Sequence, residues 1–275
     1  MKQLHHSLVT HALGALLLVT SVAVCANAQA AQPTATPARA VILTNEYHVK
    51  PGVLPEYLEW IKNESRPMYL KNGAKRTEIY TTVFGDTGIV YVMEYFSSFA
   101  DMTASKAAFT KSAGPDAMKA FTAKGTAFLS APPRQLILRT EPELSWRNPN
   151  VNVATPPRYY SVTRRWIAPG RARDYRNYLK DEYLPLLKKS EELGIVTTSL
   201  QLGDEQQIFV SRPMNDLSEL DTPNKLSKVI SNDDLSRLQQ LRLPGVVSKT
   251  DTIVIRHRDD LSISTKQSEE AAAKK

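Results

Sequence analysis

The sequence predicts an α+β protein made of two β-α-β-β-α-β repeats on one chain, packed sheet to sheet around a shared interior. Three observations carry that expectation. The chain matches itself at a nearly constant offset, each copy alternates strand and helix patterning in the same order, and each copy alone would leave one face of an apolar sheet uncovered. The offset is read from residue pairs. Pro51-Gly52 recurs as Pro169-Gly170, a shift of 118, and at that shift Tyr57 meets Tyr175, Trp60 meets Tyr178, Glu64 meets Glu182 and Pro67 meets Pro185. Gly85-Asp86 then meets Gly203-Asp204, and Tyr91 meets Phe209. Near the end the shift is 117, with Leu136 and Arg139 meeting Ile253 and Arg256.

Each element follows from local chemistry. In the first copy Val41 to Val49 reads as a strand, and Lys50-Pro51-Gly52 as a turn whose glycine tolerates positive φ. Leu54, Tyr57, Leu58 and Ile61 fall at helical spacing, with Met68 extending the apolar side. Pro67 and its counterpart Pro185 lie inside these helices. Proline removes an N–H and crowds the preceding turn, so a kink or break is expected in both. Asn72-Gly73 stops the first helix. Glu78–Phe84 and Ile89–Phe96 flank Gly85-Asp86-Thr87-Gly88 as a hairpin. Phe99 to about Ala127 reads as helix, interrupted at Gly114-Pro115, and Gln135–Thr140 is the last strand. The copies thus occupy 41–145 and 158–262. Residues 146–157, rich in Asn and Pro, read as a linker, and 263–275 as a disordered tail.

The ends of the chain and its composition narrow the setting. Lys2, the apolar run Leu13 to Val24 and the small-residue pattern Ala28-Gln29-Ala30 predict a signal peptide over 1–30, cleaved near Ala30. A run of that length is too short to span a bilayer core. Residues 31–40 read as a flexible spacer. The expected location is periplasmic or secreted. The single cysteine, Cys25, falls within the signal segment, which rules out a disulfide framework and any Cys-rich zinc site. Lys and Arg outnumber Asp and Glu by 35 to 28, a net charge of +7. Arg158, Arg164, Arg165, Arg171, Arg173 and Arg176, interleaved with Tyr159, Tyr160 and Trp166, form a local basic cluster. Export removes the protein from nucleic acid, and each copy carries a basic excess of only two (13 against 11, and 17 against 15). A solvated face is expected there, with weak contact to an anionic cell envelope as the lesser option and no nucleic-acid partner.

The order of elements, the Pro-Gly turn entering a Tyr- and Trp-bearing helix, and the turn before Ile89–Tyr95 followed by Phe99-Ala100-Asp101 resemble the dimeric α+β barrel superfamily. Within it, the chain looks most like tandem NIPSNAP-like proteins. The resemblance covers Val41–Ser145 and Arg158–Ser262. It implies two ferredoxin-like repeats closed into an intramolecular α+β barrel, a monomeric pseudo-dimer. Before the Pro-Gly turn the first copy keeps Tyr47 beside Asn45-Glu46, whereas the second has Arg164-Arg165-Trp166. Relatives include cofactor-free monooxygenases, haem-degrading enzymes, lactone isomerases and proteins with no known activity, so the fold alone specifies no reaction.

Candidate functional residues are few. Outside the signal segment the histidines are His48 and His257. His48, at a strand end, would serve as a general base or a haem ligand if it faced a pocket. His257, between Arg256 and Arg258, is expected to be solvated. No metal site is expected, because no metal-ligand spacing occurs. G-x-S-x-G, P-loop and G-x-G-x-x-G signatures are absent too, and neither Ser161 nor any other serine has a recognisable His partner. A pocket between sheet and helices would draw on Tyr47, His48, Trp60, Phe96 and Trp166. Glu46 and Glu94 in the first copy correspond to Arg164 and Arg212 in the second, and these four are expected to form a polar cluster in or at the mouth of the barrel. The sequence therefore reads as an exported barrel that binds a small, partly apolar molecule without catalysis and without a resident cofactor. The alternatives are a cofactor-free monooxygenase or haem-handling enzyme using His48 and Trp60, and a cell-envelope interaction protein.

Overall fold

A computed structural model describes residues 39–150, 157–202, 206–221, 230–234, 236 and 244–273. The signal segment, residues 31–38 of the spacer, residues 151–156 of the linker and the Gly203-Asp204 turn lie outside the described residues. So does much of the second helix expected in the second copy, at 222–229 and 237–243. Among the described residues no helix is long and apolar enough to cross a membrane.

The first half runs β1 (Val41–His48), α1 (Leu54–Trp60), α2 (Arg66–Lys71), β2 (Thr77–Phe84), β3 (Ile89–Phe96), α3 (Phe99–Ala113), α4 (Pro115–Thr126) and β4 (Arg134–Thr140). A two-residue strand, β5 (Trp146–Arg147), leads to the second half. That half holds β6 (Tyr159–Ile167), α5 (Ala172–Asn177), α6 (Leu184–Leu187), β7 (Gly194–Leu200), β8 (Gln206–Met214) and β9 (Val247–His257), followed by α7 (Thr265–Ala273). The strands form one antiparallel sheet ordered β4-β1-β3-β2-β9-β6-β8-β7, and β4 pairs again with β7. Eight strands therefore close on themselves, and β5 is appended to β7. Both halves contribute strands in the order fourth, first, third, second. They are joined along two seams, where β2 meets β9 and β4 meets β7. Closure leaves the eight strands without a free sheet edge, the usual liability of β structure.

Strand alternation assigns the faces. On β1, Ile42, Thr44 and Glu46 face inward with Tyr95, Met93 and Tyr91 opposite them on β3. Val41 and Leu43 face outward and pack with Phe96, Phe99 and Met102 beneath the helices. Each half has its own outer core: Val49, Tyr57, Trp60, Ile61, Val90 and Leu129 in the first, and Leu144, Tyr175, Leu179, Leu187, Ile195 and Val246 in the second. The expected proline disruption takes the same form in both halves. A π-helical stretch, Ile61–Ser65 or Tyr178–Tyr183, joins α1 to α2 and α5 to α6, with Pro67 and Pro185 just beyond it. The wider π turn accommodates a residue that cannot donate to the preceding turn, so each helix bends without ending.

Two segments differ from the sequence reading. Trp146–Arg147 is ordered as β5 rather than linker, because it pairs with Gly194–Ile195 and Asn148 donates to the Glu192 carbonyl at 3.0 Å. The expected disordered tail is anchored instead. Ile263 bridges to Thr77, and on α7 the Ser268 hydroxyl donates to the Ala74 carbonyl at 2.6 Å. Gly194, opposite Arg147, is the tightest point of the β5–β7 pairing. Its φ is +136°, and a Cβ there would stand 2.3 Å from the Trp146 carbonyl oxygen. Gly194→Ala is therefore expected to cost about 2 kcal/mol through strain and overpacking. Chemical denaturation checks this, and a loss below about 0.5 kcal/mol would contradict it.

Candidate functional site

The barrel is hollow. Its interior cavity measures about 860 Å³, and the middle is walled by Ile42, Met93, Leu136, Val162, Phe209 and Ile253. Polar side chains gather at the two ends. Glu78, Tyr80, Tyr95, Arg76 and Tyr160 occupy one, beside Thr265, Ser268 and Glu269 of α7, while Glu46 and Arg164 occupy the other.

At the first end Glu78 and Tyr80 alternate along β2, Arg76 immediately precedes that strand, and Tyr95 reaches in from β3. Glu78 Oε2 accepts a hydrogen bond from the Tyr80 hydroxyl and another from the Tyr95 hydroxyl, both at 2.6 Å. Glu78 Oε1 accepts from Arg76 Nε at 3.0 Å and from Nη2. The Arg76 guanidinium lies over the Tyr95 ring at 4.2 Å, and Tyr160 meets the Tyr80 ring edge-on at 5.8 Å. Burial alone would push the Glu78 carboxyl up. The Arg76 charge and the two hydroxyls more than offset this, so its pKa falls below the ordinary carboxylate value. Burial, followed by neighbouring ionisable groups, holds Tyr80 and Tyr95 well above the usual phenol range. An ionised carboxylate saturated by four donors is a weak base, so Glu78 acts as a structural anchor for the tyrosines rather than as a proton acceptor.

The same burial makes a prediction about alkaline pH. Tyr47, Tyr91 and Tyr175 are pushed up to about 12, chiefly by desolvation, and Tyr57, Tyr69, Tyr80, Tyr95, Tyr160 and Tyr183 are also raised. Folded pKa values above the unfolded value of about 10 mean that the unfolded chain releases these protons first. The stability the neutral phenols confer is complete below about pH 10 and is lost as the pH climbs through the folded values. Absorbance at 295 nm should thus show most of the eleven tyrosines ionising together with unfolding. A gradual titration of most of them near pH 10 in the folded protein would contradict the burial.

At the opposite end Arg164 Nη2 donates to Glu46 Oε1 at 3.0 Å, across the offset of 118 residues, and Arg134 Nη1 lies 3.5 Å from Glu46 Oε2. The Arg164 guanidinium lies 5.2 Å from the centre of the Phe209 ring and 5.5 Å from that of Trp166. The other two members of the expected cluster are not brought here. Glu94 pairs with Lys106 of α3, and Arg212 lies 3.4 Å from Glu192. Glu94 stands opposite Leu43 in the β1–β3 register, so it faces the helices, whereas Glu46 stands opposite Tyr91 and faces the cavity. The basic cluster of the second copy is similarly dispersed. Arg165 donates to the Tyr175 hydroxyl, Arg171 pairs with Asp174, and Arg176 pairs with Glu141.

The residues expected to line a pocket between sheet and helices are distributed over three places. Tyr47 and Trp60 do border such a pocket, with Tyr57, Tyr69, Phe121 and Gly125, but its volume is only about 200 Å³. Phe96 packs with Val41 and Leu43 on the helix side and also borders the barrel cavity, while His48 and Trp166 line neither space. Trp166 packs against Lys249, whose ammonium lies 4.5 Å from its ring. A haem does not fit these residues. The pocket beside Trp60 is below the usual size of even a small-ligand site, and neither His48 nor His257 lines it or the barrel cavity. His257 is buried, not solvated, because it stands opposite Tyr80 on the β2–β9 seam with its ring 5.1 Å away. Its Nε2 is 3.1 Å from Ser262 Oγ and its Nδ1 is 2.9 Å from Asp259, so a serine does have a histidine neighbour that the sequence reading missed. This is not a nucleophile. Ser262 donates its proton to the Arg258 carbonyl at 2.7 Å, accepts from the Ile79 N–H at 2.9 Å, and lines neither the barrel cavity nor the pocket beside Trp60. No cluster of metal-ligating side chains occurs among the described residues.

Among solved structures, the chain is similar to an anthrone oxidase-like protein at 9% identity, with a TM-score of 0.54 over 86% of this chain and 95% of that one. It is also similar to a proposed monooxygenase from Lactobacillus acidophilus NCFM, at 8% identity and a TM-score of 0.52 over 82% and 96%. The chain has the fold of the dimeric α+β barrels. A NIPSNAP family protein from Agrobacterium tumefaciens str. C58 aligns with 36% of the chain and 90% of its own length, at 17% identity and a TM-score of 0.31. No family model and no curated protein matches the chain. At these identities the likeness extends to the α+β barrel fold alone, so function has to be argued from the cavity.

Proposed function

We propose that this α+β barrel is an exported, non-catalytic protein that holds a small, partly apolar molecule inside its barrel. One observation carries the reading: a cavity of about 860 Å³ with an apolar middle and polar groups confined to its ends. Ligand sites commonly have this size and this balance, with a few placed polar groups fixing orientation. The saturated, ionised Glu78 supports binding over acid–base chemistry. In this reading Lys2, the apolar Leu13–Val24 run and Ala28-Gln29-Ala30 direct export. The barrel is a fusion of two ferredoxin-like copies, for which Glu46 and Arg164, counterparts in the repeat and partners in space, are the supporting pair. Such a fused chain needs no second copy to close its cavity.

Native mass spectrometry of the protein purified from its own host tests the reading, with Val162→Trp as the control. Val162 stands opposite Ser211 and Ile253 on the cavity wall, so an indole there fills the middle of the barrel. A co-purifying organic molecule that disappears in Val162→Trp supports the proposal. A molecule retained undiminished by a folded Val162→Trp would place binding elsewhere and overturn it.

A further inference from the structure

The two ends of the cavity differ in what they offer a ligand, and the difference selects a chemical class. Tyr80 and Tyr95 both give their hydroxyl protons to Glu78 Oε2. The oxygens of these two tyrosines therefore keep lone pairs only, and through them that end accepts hydrogen bonds. Arg164 is the reverse. A guanidinium carries five N–H groups, and the one acceptor it meets among the described residues, Glu46, engages it through Nη2 alone. Its Nε is buried with no partner. Glu46 is shared with Arg134, so two guanidinium groups face one carboxylate, and that end has positive charge in excess. Asp251, across from Arg164 in the β6–β9 register, is exposed.

The spacing is fixed along β6. Tyr160, whose ring meets Tyr80 edge-on, and Arg164 both face the cavity from this strand, four residues apart. Four residues rise about 13 Å along a strand, or about 10 Å along the axis of a barrel whose strands tilt by roughly 40°.

We propose that the cavity takes a rod-shaped molecule with an apolar body about 10 Å long, a carboxylate held by Arg164, and a hydroxyl donated to the tyrosyl oxygens beside Glu78. This rests on the barrel being the binding site, and it adds the polarity and direction of the ligand. A carboxylate suits Arg164 because a guanidinium offers paired N–H groups in one plane. The same carboxylate at the other end would meet the lone pairs of Tyr80 and Tyr95 with Glu78 behind them, and the Arg76 guanidinium there already gives Nε and Nη2 to Glu78, so the Arg164 end is the favoured one.

The probes are 4′-hydroxybiphenyl-4-carboxylate, biphenyl-4-carboxylate, 4-hydroxybiphenyl and biphenyl, titrated into the purified protein by calorimetry. Removing the carboxylate should weaken binding at least tenfold, and removing the hydroxyl about threefold. The double variant Glu46→Gln/Arg164→Gln removes both charges together, so no buried charge is stranded. It should bind biphenyl-4-carboxylate no better than biphenyl. A carboxylate that brings no advantage in the unaltered protein, or an advantage that survives in the double variant, overturns the inference. Failure here is distinguishable from failure of the barrel reading. If biphenyl binds and Val162→Trp prevents it, the barrel site stands and only the assigned chemistry falls. If no probe binds while a co-purified molecule is still lost in Val162→Trp, the barrel reading stands and this inference falls.

Discussion

Glu78→Leu is expected to destabilise the protein by roughly 3–5 kcal/mol, the largest loss from any single side chain outside the two outer cores. The expectation follows from what the carboxylate holds. Tyr80 donates to Oε2 from a buried position and Tyr95 from a partly buried one, and leucine offers neither hydroxyl an acceptor. Each stranded buried donor costs about 1–3 kcal/mol. Arg76 adds less, because about half of its side chain is exposed and can return to water. For a domain of this size such a loss lowers the midpoint of thermal unfolding by about 10 °C or more. Glu78→Gln keeps one carbonyl acceptor and should fall between the two. The acid limb gives an independent readout. The folded pKa of Glu78 lies below its unfolded value of about 4.3, so its contribution is complete above that pH and lost as the pH falls through the folded pKa. Glu78→Leu should therefore lose less stability than the unaltered protein between about pH 5 and pH 2. A midpoint shift of only 1–2 °C, or an unchanged acid limb, would mean that the cluster does not hold this end of the barrel.

How much of this was legible in the sequence depends on whether a feature is local or set by strand register. The Pro51-Gly52 and Pro169-Gly170 turns, the hairpin at Gly85–Gly88 and the disturbance at Pro67 and Pro185 are local, and each appears where residue chemistry places it. The spacing of Glu78 and Tyr80 was also visible, since alternation puts both on one face of β2. What could not be seen was Tyr95. It joins them only because β3 pairs with β2 in a register that sets Glu78 opposite Met93. Register likewise separated the four charges expected to cluster. Correspondence between copies paired Glu46 with Arg164 and Glu94 with Arg212, but it says nothing about which face each residue occupies. A shift of one residue in pairing moves a side chain to the other side of a sheet, and Glu94 is on the helix side. Cavity size was beyond local reasoning altogether. The aromatic residues near Trp60 fill most of the space between sheet and helices, as the Tyr57, Phe121 and Phe128 rings within 6.0 Å of it show. The barrel interior stays open because Thr44, Val162, Val196, Thr198 and Ser211 on its wall are short.

The Glu46–Arg164 contact gives the second large expectation, and it can be posed as a thermodynamic cycle. Glu46 is almost fully buried, and Arg164 keeps 14% of its side chain exposed. Glu46→Gln leaves Arg164 charged beside Trp166 and Phe209 without its acceptor and should cost about 3 kcal/mol, the range for breaking a buried pair. Arg164→Gln should cost less, about 1–2 kcal/mol, because Glu46 retains Arg134 at 3.5 Å. The double variant carries no stranded charge at this position, so its loss should be smaller than the sum of the singles by at least 1 kcal/mol. Each single variant thus measures the cost of an uncompensated charge, and the shortfall in the double measures the pairing between the halves. Strict additivity would show that the two residues are neighbours without energetic coupling. The barrel would then be held by its β2–β9 and β4–β7 seams alone, and the matched charges across the offset of 118 residues would contribute nothing to closing it.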